Sequence, residues 1–380
     1  MNLESDALPG AEAHARAEAD KLKDSVEGQR RKEDRAFCVA LPDMETTLQM
    51  ARLAIVVYEM LDPETFAQTG AVLESLKREC KEKCDGEPEY KRRLKEAGGD
   101  DMKMWFYECA AEGTEAAVTF SPKKNRCTVI FRGTETNKFV DVVADISIFK
   151  THLAGPEDQS DDHPGCEVHR GFHGQYYGKV TDFFNNDDDD DVPEDVIGSV
   201  LETALFQKVK KLLNDPKKPK LYVTGHSLGG ALSVLFGTRF ALADDSNCNV
   251  NVINFGCPKV GNEAFAQLVK SKENLCVQRV VHKRDIVTRV PNFGYNHVGH
   301  TIQIDEALNF KPRAYKWHTG LHALTNWNPL LALVLGGISD HSTTGYLNAL
   351  RSHTQSGKND NGLGSGEMKE WVTEYEDPRN

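Results

Sequence analysis

Ser227 lies between two glycines in Gly225-His226-Ser227-Leu228-Gly229-Gly230, with the apolar run Leu221-Tyr222-Val223-Thr224 before it and Ala231, Leu232, Val234, Leu235 and Phe236 after it. A strand that turns sharply into a helix at a serine holds that residue at strained backbone angles. Glycines two residues before and two after let such a turn pack without side-chain clashes. The hydroxyl then projects from the rim of a sheet, above a helix N-terminus that stabilises developing negative charge. That chemistry is acyl transfer by a serine nucleophile, with the backbone N–H of Leu228 as one oxyanion donor. The competing reading is a glycine-rich turn that merely closes a strand–helix unit or binds a phosphate at the helix start. A phosphate loop calls for a Lys or further glycines, and neither is present.

The elements around the serine support the first reading. Cys127 to Phe131, Leu221 to Thr224, Val250 to Phe255 and Val277 to Val281 are β-branched, apolar runs of the kind found in buried parallel strands. Helical patterns follow Asp195, Ser227 and Asn262, so the alternation predicts an α/β fold: a mainly parallel central sheet with helices on both faces. From Thr46, the spacing of Leu48, Ala51, Leu53, Ala54, Val57, Tyr58 and Leu61 predicts a first docked helix. Residues 1–43 are charged and nearly free of large apolar side chains, which suits a solvated helix or an unfolded arm. Residues 44–353 are the expected folded domain, and the Gly-, Asn- and Ser-rich residues 354–380 a flexible tail.

Bulk properties exclude several classes of function. A formal charge of −12 over 380 residues argues against a nucleic-acid partner, whose affinity rests on Lys and Arg set against phosphates. It leaves a lipid partner open, since lipid is engaged through local apolar patches. The longest apolar run, Leu330 to Ile338, is far shorter than the roughly 18 to 20 residues that span a bilayer, so no transmembrane segment is expected. Nine cysteines, some inside strand-like runs (Cys127, Cys276), read as mostly free thiols. The N-terminus has neither a secretory nor a transit signal, and a cytoplasmic, reducing setting is the expectation. For the acidic run Asp187 to Asp191, a solvated loop outweighs a calcium site, because neither ligand spacing nor a turn glycine accompanies it.

Four blocks in one order carry a resemblance: Phe131-Arg132-Gly133-Thr134, Val168-His169-Arg170-Gly171-Phe172, the hexapeptide around Ser227, and Asn254-Phe255-Gly256-Cys257-Pro258-Lys259-Val260-Gly261-Asn262. Together they resemble the fungal-type, or class 3, triacylglycerol lipases over roughly residues 115 to 350. The resemblance implies the α/β-hydrolase fold, a lipid ester substrate met at a lipid–water interface, and hydrolysis without cofactor or metal. It also implies that Thr134, after the F-R-G triplet, supplies the second oxyanion donor beside Leu228. The loop after an early strand is where that fold places such a donor.

The chain order of this fold is Ser, acid, His, so the partners of Ser227 lie downstream. Asp285, past the strand-like Cys276 to Val281, and Asp305, past the strand-like His300 to Ile304, are both carboxylates on the expected side of the sheet. The resemblance favours Asp285, which stands shortly before an apolar–Pro pair. Six histidines follow Asp285: His297, His300, His318, His322, His341 and His353. Spacing separates them poorly; the resemblance picks His341, in Asp340-His341-Ser342 at the start of the last helix. His318 and His322, one helical turn apart, suggest a metal pair less well than exposed side chains, because no third ligand is spaced to join them. The resemblance also implies a lid near Thr136 to Val143, where Phe139, Val140, Val142 and Val143 alternate with polar residues. A helix packed on the core fits that pattern equally well. The run Leu330 to Ile338 and the charged stretch Ala154 to Gly165 depart from the family pattern and leave the head group and acyl preference open. A phospholipid or galactolipid substrate, or an inactive lipid-binding relative, are the alternatives.

Overall fold

The computed structural model describes residues 44–59, 102–133, 149–154, 163–185, 195–243, 248–304, 311–313 and 339–359. The expectations for residues 1–43, Thr134, the segment 136–143, Asp187 to Asp191, Asp305, His318, His322, the run 330–338 and most of the 354–380 tail lie outside them.

The chain enters through helix α1 (Met44–Glu59) and three strands, β1 (Lys103–Cys109), β2 (Thr114–Ser121) and β3 (Arg126–Phe131). A small hairpin of β4 (Lys150–His152) and β5 (Glu167–His169) leads into helix α2 (Arg170–Tyr176), strand β6 (Asp182–Asn185) and helix α3 (Leu201–Leu213). Then come β7 (Lys220–His226), α4 (Leu228–Ala243), β8 (Val250–Phe255), α5 (Glu263–Ser271) and β9 (Leu275–His282). Strands β10 (His300–Ile304) and β11 (Lys311–Arg313) and helix α6 (Thr343–Asn359) follow.

Among the described residues nine strands form one sheet, in the order β11-β10-β9-β8-β7-β3-β2-β1-β6. The block β3, β7, β8, β9 and β10 is parallel, as the apolar runs predicted for its first four strands. The antiparallel flank β6-β1-β2-β3 and the antiparallel edge strand β11 were not anticipated.

Period-two alternation gives the sheet two apolar faces. Leu221 and Val223 of β7 join Cys127, Val129 and Phe131 of β3 and Val250 and Val252 of β8 in one cluster with α4. The next residue of β7, Thr224, points the other way and donates its hydroxyl to the carbonyl of Met50 in α1 at 3.3 Å. Helix α4 is apolar all round and buried along nearly its whole length, as expected for a helix enclosed on every side. Among the described residues no helix is long and apolar enough to cross a membrane.

Register brings the site together. Phe131 pairs with Gly225, Gly225 with Asn254, and Phe255 with Val280, so β3, β7, β8 and β9 end side by side. Arg132-Gly133, Ser227, Gly256 and the turn holding Asp285 therefore all leave the sheet at one rim, the carboxyl rim, where open α/β sheets place their sites.

Candidate active site

Strand β7 stops at His226 and α4 starts at Leu228, leaving Ser227 alone in the turn at φ +59. Left-handed backbone is costly for a residue with a side chain and is held by its surroundings. The Ser227 amide donates to the Phe255 carbonyl at 2.9 Å, and the Ser227 carbonyl accepts from Gly230 at 2.9 Å. A Cβ on Gly225 would lie 2.3 Å from the Gly229 carbonyl oxygen, and one on Gly229 would lie 2.2 Å from the Phe131 carbonyl oxygen. Both distances are impossible, so the spacing of the glycines around the serine is a steric requirement of bringing β7, α4 and the end of β3 into contact.

Asp285 and His341 meet beside that turn. The Asp285 carboxylate, fully buried, accepts from His341 Nδ1 at 2.8 Å and from the Tyr346 hydroxyl at 2.6 Å, both at Oδ2. Its Oδ1 accepts from the Val287 amide at 2.9 Å. A carboxylate on Nδ1 fixes the tautomer that leaves Nε2 able to take a proton. The imidazole of His341 abuts the serine's own neighbourhood. Its ring centroid is 4.4 Å from that of His226, and a Cβ on Gly256, next to the Phe255 that holds the Ser227 amide, would lie 2.8 Å from its Cε1.

Sequence reasoning missed the groups that hold this pair. Tyr346, one turn into α6, clasps Asp285, and burial lifts its own phenol well above its ordinary value, so it stays a donor. The imidazole of His226 donates Nε2–H to the main-chain carbonyl of His341 at 2.9 Å. Burial, then the neighbouring His341, holds His226 well below the usual histidine range. His282, the last residue of β9, donates Nδ1–H to the Asp340 carbonyl at 2.9 Å, and the Arg284 amide donates to Asp340 Oδ2 at 3.1 Å. The short 3-10 turn Ser339–His341 is thus tied to β7, to β9 and to the turn that follows β9. Strand–helix position marked His226 as part of the turn, but no spacing rule links it to a carbonyl over a hundred residues away.

Three polar residues of the other motif blocks, Arg132, His169 and Asn262, have architectural contacts. Arg132 Nη1 bonds both oxygens of the buried Glu115 carboxylate, at 2.8 and 2.7 Å, and its amide donates to the Glu115 carbonyl at 3.0 Å. This fixes the chain just past the end of β3. His169 Nδ1 accepts from the amides of Gly171 and Phe172 and caps α2. Asn262 caps α5 through the Phe265 amide and ties it to the Glu167 amide. His297 lies against Arg279, and His300 opens β10. Among the described residues no group of three or more His, Cys, Asp or Glu gathers as for a metal ion. Six described cysteines are free, and burial pushes the Cys257 thiol, behind the site, up to about 12, which keeps it inert.

Residues 128–295 match the family described as Lipase (class 3). A lipase of Rhizopus niveus is 34% identical over 190 residues, covering 49% of this chain and 40% of its own length. The phospholipase A1-IIdelta of Arabidopsis thaliana is 32% identical over 187 residues, covering 45% of this chain and 42% of its own. The chain thus spans about two fifths of the curated relatives it matches. Among solved structures, the lipase of Rhizopus microsporus var. chinensis aligns with a TM-score of 0.45 at 29% identity, over 56% of this chain and 64% of that one.

Proposed function

Since the chain belongs to the class 3 lipase family through residues 128–295, we propose that it is a serine hydrolase that cleaves the carboxylic ester bond of a lipid through Ser227, His341 and Asp285. The observation that carries this reading is the buried Asp285–His341 pair, anchored beside a strained serine at the rim of the sheet. His341 takes the Ser227 proton at Nε2 as the hydroxyl attacks the ester carbonyl, and Asp285 holds the ring and stabilises the imidazolium. The tetrahedral oxyanion accepts from the backbone N–H of Leu228 at the start of α4 and from Thr134. Two such donors lower the barrier by roughly 3 kcal/mol or more. Collapse expels the alcohol, which takes the proton from His341. A water, deprotonated by the same imidazole, then releases the fatty acid and regenerates the serine. No step calls for a cofactor or metal.

A fluorophosphonate probe tests the reading. It should label the chain, and Ser227→Ala should abolish both labelling and ester turnover; labelling that persists in Ser227→Ala overturns it. Triacylglycerol is the substrate we favour, and a matched phospholipid set decides the head group, given relatives that carry each name. A cytoplasmic, reducing setting is a separate proposal, supported by the six free cysteines. Recovery of the chain from a secreted fraction overturns that setting alone.

A further inference from the structure

Three large apolar side chains among the described residues are conspicuously exposed, and two of them, Phe149 at 66% and Phe293 at 71%, sit on adjoining loops. The Tyr295 hydroxyl donates to the Phe149 carbonyl at 3.0 Å, and the Arg170 amide donates to the same oxygen at 3.0 Å. Lys150 lies 4.8 Å over the Tyr295 ring, and a Cβ on Gly294 would lie 2.8 Å from its ammonium. The two phenylalanines therefore flank a lysine on a pre-formed platform.

The platform is rigid because a ladder runs beneath it. Val168 in β5 bridges to Gly261, Gly261 bridges to Asn296, and the Lys259 amide donates to Val290 at 2.9 Å. The 256–262 and 286–296 segments leave the sheet after β8 and β9, at the same rim as Ser227. Exposed Arg170 and Phe149 also line an open concavity, together with Glu112.

Two rigid, solvent-facing phenylalanines cost free energy in water, and an apolar patch beside fixed cations suits a lipid surface of negative charge. In a chain of net charge −12, cations placed at this patch are what allows close approach to such a surface. We propose that Phe149 and Phe293, with Lys150 and Arg170, form a docking patch for an anionic lipid surface and present the Ser227 rim to that surface. This rests on the lipid-ester reading above and names the surface on which it acts.

The test is co-sedimentation of the full chain with vesicles of phosphatidylcholine containing a quarter phosphatidylglycerol, done in Ser227→Ala so that turnover cannot alter the lipid. Phe149→Ser with Phe293→Ser should cut partitioning about tenfold or more, while turnover of a water-soluble ester by the same double variant with Ser227 intact is unchanged. Lys150→Gln should cut it about fivefold on the anionic vesicles and leave pure phosphatidylcholine binding as it was. Partitioning unchanged by the double substitution, or equal on the two vesicle types, overturns the patch. Absent soluble-ester turnover in the unaltered chain overturns the hydrolase reading alone.

Discussion

His226 donates its Nε2 proton to the main-chain carbonyl of His341 across 2.9 Å, with the two rings tilted by 31° at 4.4 Å. The residue immediately before the proposed nucleophile thereby holds the residue proposed as its base. The contact passes through backbone rather than through the reacting nitrogen, so His226 is a positioning residue. Losing it should misplace the imidazole without removing it, and a misplacement of about 1 Å costs on the order of 10²-fold in rate.

His226→Leu should therefore lower kcat by roughly 10²-fold on a water-soluble ester with KM little changed. His226→Gln, whose amide can donate to the same carbonyl, should recover a good part of that loss. Equal kcat values for the Leu and Gln variants would show that the hydrogen bond has no such role.

His226 also sets an acid limit on stability. Its folded-state value is depressed well below 6.5, chiefly by burial, so below about pH 6.5 the unfolded chain binds a proton that the native chain refuses. Stability therefore falls as pH drops through that window, by up to about 1.4 kcal/mol per pH unit for this one group. His226→Gln removes the titrating group, and its denaturation midpoint should fall less steeply between pH 6.5 and 5 than that of the parent chain. Parallel curves would contradict the assignment.

The strands of the parallel block were legible because burial on both faces demands uninterrupted apolar, β-branched runs, and Val250–Phe255 was read to the residue. Strand β7 runs two residues past the expected end because Gly225 and His226, poor strand formers, still pair with Asn254 and Phe255. The β1–β2 hairpin was passed over although Met104 to Tyr107 is apolar and aromatic, since Glu108, Glu115 and Thr119 interrupt the pattern. At the candidate site, the tight strand–helix turn at Ser227 was legible from local sterics alone. Asp285 and His341 needed the family pattern, and Tyr346, Glu115 and the anchoring role of His226 left no trace, because each acts on a partner 17 to 115 residues distant.

Tyr346→Phe removes a 2.6 Å donor from the Asp285 oxygen that also holds His341. A hydrogen bond to a buried charged group contributes about 1.5–3 kcal/mol, so the variant should lose stability on that scale. With one fewer tie on Asp285, kcat should fall about tenfold while KM holds. Lost stability with an unaltered kcat would assign Tyr346 to folding alone.

Gly256 occupies φ +62, and a Cβ there would lie 2.9 Å from Asp285 Oδ2 and from His341 Nδ1. Gly256→Ala should separate the pair and reduce turnover more than about 10²-fold. Gly113 has the same φ of +62 with nothing within 4 Å of a Cβ, so Gly113→Ala carries the same backbone strain of roughly 1–2 kcal/mol without the collision. Turnover should survive in it. Similar activities in the two variants would mean that the space beside the Asp285–His341 pair is not what Gly256 provides.

The identity of the acid is the sharpest remaining test. Asp285 is buried, accepts from His341, Tyr346 and Val287, and follows β9 at the rim that carries Ser227, whereas Asp305 lies outside the described residues. Asp285→Asn replaces the acceptor on Nδ1 by an amide that can equally donate, so the imidazole can settle in the tautomer that no longer accepts the serine proton. A loss near 10⁴-fold in kcat follows for a serine triad, with the fold retained. Asp305→Asn should leave kcat and fluorophosphonate labelling at parental rates. Were Asp305→Asn the inert variant and Asp285→Asn the active one, the buried pair would be a structural bond and the catalytic acid would have to be sought beyond β10.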